Sequence, residues 1–195
     1  MNTSNNLPEI IGIGGTFASG KDTLAEYLVR NYGYNHVSTG DIVRIAARER
    51  YGNIERPTLQ ITGGELREEG GSGVLAEKAL QRPRPLVITG IRTSGEAETI
   101  KAAGGVMLFI DADPEKRYER MQIRQRDNEV QQTLDEFLAK EKKEIEGTVA
   151  NADQNIGVVR SLSDIMLDNS GELNKFLNDT VKTLQQHQPR PTASR

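Results

Sequence analysis

The chain has 195 residues, with 25 Lys and Arg against 28 Asp and Glu, two His and no Cys. That length suits one well-buried domain better than two, and a net charge of −3 provides no broad electrostatic footprint for nucleic acid or an anionic membrane. The lack of cysteine excludes disulfides, Cys-ligated zinc, iron–sulfur clusters and thiol catalysis, and His36 and His187 alone cannot build a histidine metal cage.

The opening MNTSNNLPE has no basic stretch followed by an apolar core, and no later apolar run reaches the roughly 18 residues of a membrane span. A cytoplasmic location is therefore expected, with residues 1–8 as a flexible N-terminus and 9–187 as one domain. The apolar run IIGI predicts a strand over 9–14. It feeds GGTFASGKD, and a helix follows over 21–32 with Leu24, Tyr27 and Leu28 on its apolar face.

GTFASGK satisfies the GxxxxGK pattern, and the strand before it and the helix after it are the context that a phosphate-binding loop requires. Gly15 and Gly20 lack a Cβ, so the amides from Thr16 through Phe17, Ala18, Ser19 and Lys21 to Asp22 can turn towards one anion. The helix adds its unpaired N-terminal amides and the positive end of its dipole, and Lys21 adds a full charge for β/γ-phosphates. ATP with Mg²⁺ is the expected ligand. Asp22 stands where Ser or Thr normally ligates Mg²⁺; a carboxylate is a hard oxygen ligand, so Asp22 is the candidate metal residue and Thr23 the alternative.

YNHVS predicts a short strand leading into STGD at 38–41, where Thr39 or Ser38 can cap a helix with Ile42, Ile45 and Ala46 on its apolar face. His36 reads as a strand residue, not a ligand. Residues 57–82 read as a helix, a stop at GGSG (70–73) and a second helix. After Pro85, LVITGI has the apolar, β-branched character of a parallel strand buried on both faces.

A helix over about 94–103 and a strand within GVMLFIDA (105–112) come next. Asp113 and Pro114 read as the N-cap and first residue of an arginine-rich helix, KRYERMQIRQR. Arg117 and Arg126 on it read as solvent-exposed ion-pairing residues, and the charged helix over 133–146 as a solvated face. SDIMLDNSG predicts a fifth strand and turn, ELNKFLNDTVKTL a closing amphipathic helix, and 188–195 a disordered tail. The alternation implies an α/β class with a parallel sheet between helices.

Several of these segments together resemble the adenylate-kinase-like nucleotide kinases of the P-loop class, over most of residues 9–184. STGDIVR looks like their monophosphate-binding segment, ending in Arg44. TGIRTSGEAETI is similar to their GFPRT...QAE stretch and places Arg92 on the arginine that grips the acceptor phosphate. RYERMQIRQR resembles the opening of their lid, here about 120–150, with Arg120 on the arginine that lies over adenine and Arg124 on the one that contacts transferring phosphates. LDNSG matches the loop that meets the base, which brings in Asn169 and Gly171.

The resemblance implies a three-layer P-loop NTPase fold with a five-stranded parallel sheet of order 2-3-1-4-5. It also implies an ATP-dependent phosphotransferase acting on a small phosphorylated acceptor, foremost a nucleoside or deoxynucleoside monophosphate. Lys21, Arg92 and Arg124 would be catalytic, and Thr39, Asp41, Arg44 and Arg92 would hold the acceptor. GELREEGGSGVLAEKAL and QNIGVVRSLSDIMLDNSG look closest to archaeal adenylate-kinase-related proteins and to the kinase-like domain preceding some deoxycytidylate deaminases.

The second of these segments is also similar to the end of dephospho-CoA kinases. A hydroxyl acceptor therefore stays open, with Asp41 as its general base, although an Asp in STGD equally serves as a helix cap. Thr89 departs from the pattern, because these kinases usually carry there an Asp that orients Mg²⁺ through water. Together with Asp22, it leaves open a regulatory module that binds a nucleotide without turnover.

Overall fold

The computed structural model describes residues 6–124, 132–146 and 155–187, without the side chains of 124 and 143–146. Five strands, β1 (Ile10–Gly15), β2 (Asn35–Ser38), β3 (Leu86–Thr89), β4 (Val106–Asp111) and β5 (Ile165–Asp168), form one sheet of order β2-β3-β1-β4-β5. Every pairing is parallel. This is the expected sheet order. β1 and β4 are buried almost throughout and β3 completely, as continuous apolar runs between two helical layers should be.

One face carries Ile11, Ile13, Val87, Leu108 and Ile110 against α1 (Lys21–Tyr32) and α9 (Leu173–Gln186). The opposite face carries Ile10, Leu86, Ile88, Met107 and Phe109 against α4 (Val74–Ala79), α5 (Ser94–Ala102) and α8 (Ile156–Leu162). On that second face β1 contributes Gly12 and Gly14. A Cβ at Gly12 would lie 2.3 Å from the Met107 sulfur, and one at Gly14 would lie 2.7 Å from Val159 of α8. The helices thus pack close to the strand that leads into the phosphate loop.

A smaller apolar cluster of Val43, Leu66, Val74 and Leu75 joins α4 to α2 (Thr39–Tyr51) and α3 (Arg56–Gly70). α3 stops at the expected glycine break. α6 (Pro114–Arg124) begins at the expected proline and is followed by α7 (Leu134–Glu146).

Four expectations need correction. Neither Ser38 nor Thr39 caps α2 with its side chain: Ser38 is the N-cap residue but makes no cap hydrogen bond, and the Thr39 hydroxyl donates to the Gly90 carbonyl at 2.7 Å. Leu7 and Pro8, expected within a flexible N-terminus, are packed, with Leu7 against the core and the Pro8 carbonyl accepting the buried Tyr34 hydroxyl. α8 was not foreseen as a helix.

The fourth correction concerns Arg117, which is buried, not solvated. Its Nε donates to the Ala112 carbonyl at 2.7 Å, and its guanidinium makes a two-pronged pair with Glu141 of α7. The α7 face bearing Phe137 and Glu141 is accordingly a packing face. Parts of the proposed lid (125–131, 147–150), Arg126 and the tail lie outside the described residues.

Candidate active site

The sheet register brings the functional stretches to one edge, because the residues after each parallel strand leave from its C-terminal end. Gly15 lies opposite Ile110, Ile13 opposite Thr89, and Asp111 opposite Asp168. From β1 the chain turns through 15–20 into α1. Gly15 has φ 144° and approaches the Ile110 carbonyl so closely that a Cβ would lie 2.2 Å from it. Gly20 is the N-cap of α1, with φ 101°. Ala18 also takes a left-handed φ of 58°, a local strain worth about 1 kcal/mol that the flanking structure must hold.

What holds the loop is visible on both sides. Thr16 is only 3% exposed; its hydroxyl donates to Asp111 Oδ1 at 2.7 Å and its amide to the Ile110 carbonyl at 3.2 Å. From β5, the Asn169 side-chain amide donates to the Ser19 carbonyl at 2.8 Å. Arg120 Nη2 donates to the Asn169 carbonyl at 2.7 Å. The Lys21 ammonium lies back over the loop, donating to the Gly15 carbonyl at 3.0 Å and to the Thr16 carbonyl.

Beside the loop is a cleft of about 330 Å³ lined by Ala18 to Thr23, Glu26 and Arg120. Among the described residues, Ser19 Oγ and Arg120 Nη1, on residues that line the cleft, are buried without a hydrogen-bond partner, as is Oδ1 of Asn169, which holds Ser19. A buried polar group without a partner is costly in a folded protein, so this cleft is suited to a polar ligand. Asp22 and Glu26, one turn apart on α1, give the cleft hard oxygen donors. Among the described residues no group of three His, Asp or Glu side chains gathers to hold a metal. One or two carboxylates fit Mg²⁺, which keeps waters and phosphate oxygens as its other ligands.

The residues expected on the acceptor side lie on α2 and just after β3. The Arg92 backbone is held from two directions: its amide donates to Glu96 Oε2 at 2.7 Å, and its carbonyl accepts the Asn155 amide at 3.0 Å. Its side chain is exposed. Glu96, fully buried, completes a capping box with Thr93 and pairs with Arg67 at 3.0 Å. Asp41 and Arg44 pair with each other at 2.6 Å on the surface of α2. Thr39 is 3% exposed and tied to Gly90, so its hydroxyl serves the junction of β2 and β3. Arg124 ends α6, and its side chain is outside the described residues; Gly171 is exposed in the loop after β5.

Sequence reasoning missed Asp111. The carboxylate flanking the phosphate loop stands at the end of β4, while the end of β3 carries Thr89, whose hydroxyl hydrogen-bonds His36 Nε2 at 2.9 Å. An apolar strand ending in a lone Asp, as in VMLFID, was the available signal.

The family model described as AAA domain matches residues 11–147. A UPF0200 protein of Thermococcus sibiricus is 29% identical over 179 residues, covering 86% of this chain and 89% of that protein. A UPF0200/UPF0201 protein of Archaeoglobus fulgidus is 28% identical over 179 residues and covers 87% of this chain, which spans 53% of that relative's length. Among solved structures, shikimate kinase from Acinetobacter baumannii in complex with shikimate superposes with a TM-score of 0.60 at 16% identity, over 92% of each chain. The fold is thus that of the P-loop kinases.

Proposed function

The chain belongs to the AAA-domain family, and on that footing we propose that it is an ATP-dependent phosphotransferase acting on a small phosphorylated acceptor, most simply a nucleoside or deoxynucleoside monophosphate. The observation that carries the reading is the braced loop at 15–20, opening into α1 with Lys21 folded across it. Its amides and the α1 N-terminus would receive the ATP phosphates, and Lys21 would move from the loop carbonyls to the β/γ-phosphates.

Asp22 would hold Mg²⁺, which when bound neutralises charge on the phosphates. Arg120, fixed on the Asn169 carbonyl beside the cleft, would cover the base, and Arg124 would reach the transferring group. Arg92, presented by a loop held at both its amide and its carbonyl, would grip the acceptor phosphate with Arg44. Phosphoryl transfer requires positioning and charge neutralisation more than covalent chemistry, and these residues supply both. Residues 9–187 would form a single kinase domain, with its lid over about 120–150.

A regulatory module without turnover is the second reading, supported by Thr89, whose buried hydroxyl is engaged with His36 where a carboxylate would orient the metal. Purified protein with ATP, Mg²⁺, a panel of nucleoside monophosphates and dephospho-CoA separates the readings. Transfer to a monophosphate supports the first; transfer to dephospho-CoA moves the acceptor to a hydroxyl. Tight ATP binding with no transfer establishes the second.

A further inference from the structure

The Asp111 carboxylate is shared between the phosphate loop and a buried cation. Oδ1 accepts the Thr16 hydroxyl at 2.7 Å and the Ala112 amide at 2.9 Å. Arg117 Nε stands 3.7 Å from that same oxygen, and Arg160 Nη1 stands 3.8 Å from Oδ2. The Arg117 side chain is 3% exposed, so its charge has almost no water to screen it. It is instead matched by Glu141 of α7, itself 10% exposed, through two parallel hydrogen bonds, the longer at 2.8 Å. Phe137, one turn earlier on α7, lies against the guanidinium at 5.7 Å and against Phe17 of the loop at 6.2 Å.

We infer that Glu141, a residue outside the phosphate-binding motif, is a positioning residue for the phosphate loop, acting through Arg117 and Asp111 on Thr16. A desolvated guanidinium draws the nearest available anion strongly. With Glu141 in place that demand is met by a two-pronged partner on α7, and Asp111 keeps its hydrogen bond to Thr16. Without the Glu141 charge, Asp111 is the carboxylate that still pairs with Arg117 among the described residues. Closing the 3.7 Å gap to Arg117 would pull Oδ1 away from Thr16 and release the left-handed stretch that Thr16 anchors. The inference rests on the reading of 15–20 as a nucleotide site.

The test is a cycle of Glu141→Gln, Thr16→Val and the double variant in the full chain. Hydrogen exchange of the amides of 16–22 is followed in ligand-free protein, and ATP·Mg²⁺ binding by calorimetry. Glu141→Gln is expected to speed exchange in the loop and to weaken ATP on the order of fivefold, the size of one modest hydrogen bond. In the Thr16→Val background it should add nothing, because the hydroxyl it acts on is gone.

Glu141→Asp, which keeps the charge, should restore most of the protection. Equal effects of Glu141→Gln with and without the Thr16 hydroxyl, or an unchanged loop in a folded Glu141→Gln protein, overturn the inference. Failure of the unsubstituted chain to bind ATP overturns the nucleotide reading, and the exchange cycle still decides the coupling by itself.

Discussion

Gly20 and Asn169 meet so closely that residue 20 has no room for a side chain: a Cβ there would lie 2.3 Å from the Asn169 side-chain nitrogen, on a backbone with φ 101°. The two obstacles are independent, one being contact and the other conformation. Gly20→Ala is expected to lose about 1–3 kcal/mol of stability, and ATP affinity with it. Adding Asn169→Ala should relieve the contact and leave the conformational strain. Thermal melts of the single and double variants measure the two parts, and a Gly20→Ala protein with unchanged Tm and ATP affinity contradicts both.

Lys21→Ala removes a charge whose partners include the Gly15 and Thr16 carbonyls, which other donors or water can satisfy. The fold should therefore survive, with Tm within a few degrees, while ATP binding weakens by roughly 100-fold or more from the loss of a charge-assisted contact. Calorimetric titration decides the matter. Unchanged affinity removes the loop from the nucleotide site.

Asp22→Asn tests the metal. As a Mg²⁺ ligand, Asp22 should give a variant needing several-fold more Mg²⁺ for ATP binding, while metal-free ATP binds as well as before or better because a negative charge has left the cradle. A Mg²⁺ titration at fixed ATP measures this. If the dependence does not move, Thr23 becomes the candidate.

Arg92→Ala and Asp41→Asn distinguish the acceptors. A monophosphate oxygen is already anionic and needs a cation rather than a base. Arg92→Ala should then lower kcat/KM by about 100-fold or more, while Asp41→Asn, whose partner is the neighbouring Arg44, should lower it by less than about tenfold. The reverse order, with Asp41→Asn inactive at unchanged acceptor KM, assigns a hydroxyl acceptor.

Asp164 gives a pH prediction. Burial pushes its carboxyl up, but the Lys101 hydrogen bond, the Met107 amide and the Lys101 charge together outweigh burial and hold it below the usual carboxylate range. A carboxyl lowered by folding stabilises the native state above its unfolded pKa of about 3.9, and that contribution is lost as pH falls through the lower folded value. Asp164→Asn should therefore lower Tm at pH 7, and the gap from the parent should shrink as the pH drops below about 4. A constant gap across that range shows that the charge contributes nothing.

The strands and most helices were legible because they are written locally, in continuous apolar runs such as LVIT and in punctuation such as Pro114 and the glycines at 70–73. The loop was legible for the same reason: its glycines, its lysine and its place between strand and helix are contiguous. What could not be read was pairing across the chain. Arg117 looks like any surface arginine until Glu141 and Asp111 enclose it, and Asp111 looks like a strand terminus until Thr16 arrives from β1. α8 has only seven residues, too few to show helical periodicity convincingly. Thr39 had the right residue type in the right segment, but its hydroxyl's choice of Gly90 depends on β3 lying alongside β2.

Gly14 leaves the space that Val159 occupies, and α8, which carries Val159, follows directly on the residue that holds the Arg92 carbonyl. The missing side chain at residue 14 thus acts as a spacer for the helix whose N-cap residue, Asn155, holds the Arg92 carbonyl. Enlarging residue 14 is expected to shift the start of that helix, and Arg92 with it, without altering any charge. Across relatives, bulk at 14 should trade against bulk at 159, so the two positions are expected to drift as a complementary pair, a signature that neither would show alone.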